Sequence, residues 1–119
     1  MWIGFRTVIG RRISSFQFAW RGLTILLRTQ PNARVHLLAT VAVLLLAVIT
    51  NRTRWDMALL LLAVGLVWVA EAFNTAIEFL TNLVSPEWRP LAGQVKDLSA
   101  AAVLLAAMTA LAVGLVVCF

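Results

Sequence analysis

MALLLLAVGLVWVAEAFNTAIEFLTNLV, residues 57–84, begins as a membrane helix and then breaks the rule for one. Residues 57–70 carry no charge, yet the helical pattern runs on through Glu71 to about Val84. On a helix, Glu71, Asn74 and Glu78 stand at i, i+3 and i+7 and project from one face. A charge at the bilayer centre costs roughly 2.5–3.5 kcal/mol on insertion scales, so a carboxylate kept there has a partner or a task. From Met57, about twenty residues rising ~1.5 Å each cross the ~30 Å hydrocarbon layer, which ends near Ala76. Glu71 then lies just inside one edge of the apolar layer, and Glu78 at or beyond it.

The rest of the chain repeats the membrane signal. Residues 35–50 hold no charge, and residues 98–119 are uncharged throughout. Each apolar run reaches the ~20 residues a span requires, the first by borrowing from its flanks. The expected spans are about 31–50, 56–84 and 95–118, in one domain of 119 residues. Residues 51–54 make a short connection, and Pro86, Pro90 and Gly93 mark 85–93 as a loop. The composition is 62% hydrophobic and only 13% charged, with mean hydropathy +0.94. Soluble domains hold roughly 45–50% apolar residues, so a water-soluble fold is excluded.

Residues 1–30 read differently. At ~100° per residue, Phe5, Val8, Ile9, Ile13, Phe16, Trp20, Leu23 and Leu27 share one helix face. Arg6, Arg11, Arg21 and Arg28 lie off that face, while Arg12 is an exception. Basic residues opposite aromatic and aliphatic ones describe a helix lying in the membrane interface, and a helix packed on a partner protein is the alternative. Gly10 and Gly22 are candidate breaks. The net charge of +5 is placed for anionic headgroups rather than nucleic acid, because basic residues flank the apolar runs. Eight of the ten basic residues (Arg6, Arg11, Arg12, Arg21, Arg28, Arg34, Arg89 and Lys96) fall on one side, and Arg52 and Arg54 on the other. The N-terminus is therefore expected in the cytoplasm and the C-terminus outside. Trp2, Trp20 and Trp88 would sit at the inner interface and Trp55 at the outer. No apolar run in the first thirty residues suits a signal peptide. Cys118 stands alone, so no internal disulfide forms, and a structural role is expected of it.

The acidic stripe suits chemistry between a lipid headgroup and a cytosolic solute. A carboxylate deprived of water is a stronger base toward a hydroxyl. A more exposed Glu with an Asn on the same face offers the oxygen ligands that Mg²⁺ takes. Polar glue between helices explains the same spacing equally well. Lys96 and Asp97 form a second polar cluster at the mouth of the third span. Asp97 could cap that helix. Lys96 could meet phosphate or snorkel to headgroups. Ala100, Ala101, Ala102, Ala106, Ala107 and Ala110 permit close helix packing. No P-loop motif is present.

The block Glu71-Ala72-Phe73-Asn74-Thr75-Ala76-Ile77-Glu78, with Lys96-Asp97 ahead of an Ala-Val-Leu helix, resembles the prokaryotic diacylglycerol kinase family, which includes the undecaprenol kinases. The resemblance extends over Ala19-Trp20-Arg21-Gly22, Asn32-Ala33-Arg34-Val35-His36, Pro86-Glu87 and Pro90-Leu91. It implies an all-α integral membrane homotrimer in the bacterial inner membrane, each subunit with a surface helix and three transmembrane helices. It also implies transfer of the γ-phosphate of MgATP to a lipid alcohol, in active sites shared between subunits. By matching positions, Glu71 would be the base. Glu78 would hold Mg²⁺, with Gln30 where the family commonly has a metal-binding Glu. Asn74 would support the metal and phosphate region, Lys96 would contact the transferred phosphate, and Asp97 and Arg11 would serve the nucleotide.

Several positions depart from the family pattern. Gln30 contributes no charge to a metal. Asn82 stands for the family Asp, Phe73 and Thr81 replace small aliphatic residues, and Arg89 stands near an expected histidine. These departures motivate a second reading, a catalytically weakened or non-catalytic member that binds lipid or nucleotide. His36 matches the undecaprenol-kinase branch, but taken alone it reads first as an interfacial residue. Diacylglycerol and undecaprenol both stay open as substrates.

Overall fold

The computed structural model describes the backbone of residues 2–119 and the side chains from Thr7 onward. The side chains of Trp2, Phe5 and Arg6 therefore lie outside the described residues. Four helices follow in order: α1 (Trp2–Thr29), α2 (Pro31–Ile49), α3 (Arg54–Val84) and α4 (Pro90–Cys118). The last three are long and apolar enough to cross a membrane.

Local chemistry sets each boundary. Pro31 and Pro90 open α2 and α4 at the first helical position, where a missing N–H costs nothing, and Gln30 and Arg89 before them are extended. α2 ends in a Schellman turn. Asn51 takes a left-handed φ of 53°, its N–H bonds Val48 O at 3.2 Å, and Arg52 N–H bonds Ala47 O at 3.1 Å. Thr53 caps α3 by accepting the Asp56 N–H at 3.1 Å, and Asp56 complements the positive end of the helix.

Three boundaries differ from the sequence reading. α4 starts at Pro90, not near 95, so Pro90 and Gly93 belong to the helix and only residues 85–89 form the loop. Asp97 consequently sits in the second turn and caps nothing. Gly10 and Gly22 leave α1 unbroken. A helical Gly costs only about 1 kcal/mol against Ala, which neighbouring turns can absorb.

α3 is the axis of the bundle. α4 packs along it, α2 contacts it less extensively, and α1 touches α2 and α3 but, among the described residues, not α4. Leu60, Ala63, Val67, Glu71 and Thr75 form its buried stripe, spaced three or four apart. At the α2–α3 turn, Ala47, Leu60 and Val117 make a small apolar core with Met57 and Val113. Arg52 closes that end, its Nη1 donating to Val117 O at 3.0 Å. On α4, Ala106 is buried and Ala107 and Ala110 half-buried, whereas Ala100, Ala101 and Ala102 face outward. The molecule is a slab 22 Å thick, so most apolar side chains of the spans point away from it. Lipid or further helices must cover them. On α1, Phe16 and Trp20 are 79% and 71% exposed, while Leu26, off that face, is buried. Cys118 is a free thiol, exposed in the single chain.

Candidate active site

Towards the 85–89 loop, Asn74 and Asn82 of α3 meet Ser99 and Lys96 of α4. Glu71 occupies a position in the core stripe where Val67 sits one turn earlier, and it is 1% exposed. Its Oε2 has no hydrogen-bond partner among the described residues. Leaving a buried group unsatisfied costs about 1–3 kcal/mol, and more for a charged one. A carboxylate oxygen held in that condition is poised for something. Across the α2–α3 contact, His36 Nε2 lies 3.6 Å from Oε2. Thr75, one turn on, is also buried, and its hydroxyl donates to the Glu71 carbonyl at 3.0 Å.

Asn74 and Glu78 lie on the adjoining, half-buried flank of α3. Asn74 is fixed by α4: Ser99 Oγ donates to Asn74 Oδ1 at 2.7 Å and approaches Lys96 O at 3.0 Å. With its oxygen engaged there, the Asn74 amide NH₂ is the group left to face a ligand. Glu78 has no described hydrogen bond or ion pair. Sequence reasoning missed Ser99. The signal available was a hydroxyl three residues past Lys96 in an otherwise Ala- and Leu-rich helix.

Lys96 Nζ donates to Asn82 Oδ1 at 2.6 Å. The partner is a neutral amide, so no carboxylate stands against the ammonium in this contact. Asp97, the next residue, is exposed. At the α1–α2 junction Gln30 is half-buried, and its Nε2 donates to Thr29 Oγ1 at 3.3 Å, which leaves Oε1 uncommitted among the described residues. Arg34 pins this corner, donating to Leu27 O at 2.9 Å and Arg28 O at 2.7 Å, carbonyls that the end of α1 leaves open. Arg11 is exposed on α1, which does not pack on α4, so Arg11 and Lys96 are not brought together within one chain.

No three His, Cys, Asp or Glu side chains cluster as a metal cage among the described residues. Glu78, Gln30 and their neighbours instead offer scattered oxygen atoms. Carboxylate and amide oxygens are the ligand type that Mg²⁺ takes.

Three long apolar helices with a carboxylate buried on the central one define an α-helical membrane bundle. The family model for prokaryotic diacylglycerol kinase matches residues 17–118, and the chain belongs to that family. It is 40% identical over 101 residues to a diacylglycerol kinase of Synechocystis sp., an alignment covering 84% of this chain and 58% of that relative. It is 31% identical over 112 residues to the undecaprenol kinase of Bacillus subtilis, covering 94% and 91% of the two chains. Against the diacylglycerol kinase of Escherichia coli K12 it is 29% identical over 100 residues, 84% of this chain and 82% of that one. The chain thus spans little more than half the length of the Synechocystis relative and most of the other two. Arg11 falls outside the stretch that the family model matches.

Proposed function

We propose that the protein is a lipid kinase that transfers the γ-phosphate of MgATP to the hydroxyl of a membrane lipid alcohol, diacylglycerol or undecaprenol. The observation that carries this reading is Glu71, a carboxylate buried in the core stripe with an unpaired oxygen, in a chain of a kinase family. Glu71 takes the proton of the lipid hydroxyl as that oxygen attacks the γ-phosphorus. Asn74, turned by Ser99, presents its NH₂ to the phosphoryl oxygens. Lys96, tethered to a neutral amide, meets the transferred phosphate. Glu78 and Gln30 would hold Mg²⁺, which when bound neutralises charge on the nucleotide phosphates. Asp97 and Arg11 serve the nucleotide. Catalysis rests on positioning and charge neutralisation, since no water is wanted in the transfer.

Arg11 and Lys96 stand apart in one chain, and the slab leaves its apolar faces bare. Both features support a homotrimer whose sites are shared between subunits. The distribution of Arg and Lys supports an inner-membrane orientation with the N-terminus cytoplasmic. The test is phosphate transfer by purified protein in detergent with MgATP and diacylglycerol, undecaprenol or no lipid. Lipid-dependent transfer is expected. Nucleotide binding without transfer to either lipid would overturn the kinase reading in favour of a non-catalytic scaffold.

A further inference from the structure

His36 and Glu71 are held opposite each other by more than their own contact. One turn further along α2, Thr40 Oγ1 donates to the His36 carbonyl at 2.6 Å and accepts from Trp68 Nε1 on α3 at 3.0 Å. Trp68 precedes Glu71 by three residues, so the two cross-helix contacts lie on one antiparallel register. The Trp68–Thr40 bond would keep the imidazole beside the carboxylate even with the 3.6 Å gap unbridged. The two side chains differ in access: that of Glu71 is 2% exposed, that of His36 24%. A base enclosed this tightly cannot hand its proton directly to water after each turnover. His36 reaches both the hidden oxygen and the open side.

From this arrangement we infer that His36 positions Glu71 and receives its proton, so that the base is regenerated through the imidazole. The inference rests on the kinase reading above. In each turnover the lipid O–H bond breaks and a lipid O–P bond forms. The bond between the γ-phosphorus and its bridging oxygen breaks, and ADP departs with that electron pair. The proton goes from the hydroxyl to Glu71, from Glu71 to the Nε2 lone pair of His36, and from the imidazolium to water. The gap must close by a few tenths of an ångström for the middle step. Catalytic hydrogen bonds that are long without substrate commonly tighten when it binds. His36 acts through Glu71 and is a positioning residue.

His36 is the only histidine in the sequence, so its imidazole can be observed without ambiguity. In protein labelled with ¹⁵N-histidine, Glu71→Gln is expected to displace both ring-nitrogen resonances. Unchanged resonances would overturn the pairing, whether or not the protein is a kinase. In the transfer assay, His36→Ala and His36→Gln are each expected to lower kcat about tenfold or more, with KM for ATP nearly unchanged. Added imidazole should restore part of the rate in the Ala variant and none in the Gln variant. Wild-type rates in His36→Gln, or an Ala variant that is folded but deaf to imidazole, would overturn proton transfer through His36. If wild-type protein transfers no phosphate to any lipid alcohol, the kinase reading fails by itself, and the resonance experiment still decides the pair.

Discussion

Ser99→Ala isolates the contribution of one hydrogen bond to the site. The serine hydroxyl gives Asn74 Oδ1 its described partner, at 2.7 Å, and Ser99 is buried between α3 and α4. Alanine fits the same space, so packing hardly changes while the Asn74 amide becomes free to rotate. Hydrogen bonds between membrane helices average about 0.6 kcal/mol, and neutral ones in proteins are worth about 1 kcal/mol. That range corresponds to a roughly threefold to fivefold loss of the competent amide orientation. The expected result is a fall in kcat of about that size, because Glu71 and Lys96 are untouched. Initial rates of lipid phosphorylation in mixed micelles measure it, with Ser99→Thr as a control that keeps the hydroxyl. An unchanged rate in Ser99→Ala, or equal losses in both variants, would refute the argument that Ser99 orients Asn74.

Three further outcomes follow from named contacts. Arg34→Ala removes both donors from the carbonyls of Leu27 and Arg28, so hydrogen exchange at residues 25–30 should accelerate while the α3 amides stay protected. Asn82→Asp places an anion on Lys96 at the present 2.6 Å contact, and KM for ATP should rise roughly twofold or more as the ammonium is neutralised. Stability should barely change, because exposed ion pairs contribute little. Gln30→Glu adds a carboxylate beside the proposed metal site, and the Mg²⁺ concentration giving half-maximal rate should fall; an unchanged requirement would remove Gln30 from the metal site.

The spans and the acidic stripe were legible because membrane burial writes itself into composition and because i, i+3, i+7 spacing needs only one helix. Glu71 stood out for the same reason: nothing apolar tolerates a lone carboxylate. What could not be read was anything that depends on the register between helices. Ser99 reaches Asn74, and Thr40 reaches Trp68, only once α4 and α2 have docked on α3. Pro90 misled as punctuation, since a proline that ends one element also opens the next, and Asp97 lost its capping role with it. His36 looked interfacial in sequence, yet the fold sets it against the most deeply buried charge. Arg11 lies on α1, which does not pack on α4 among the described residues.

The most direct test of the account is single-turnover transfer of labelled γ-phosphate to the preferred lipid by wild-type protein and by Glu71→Gln. Binding of MgATP is measured alongside. The account predicts that the variant binds nucleotide as the wild type does and transfers phosphate about 10²–10⁴ times more slowly, the usual worth of a general base. Transfer at the wild-type rate by Glu71→Gln would contradict it.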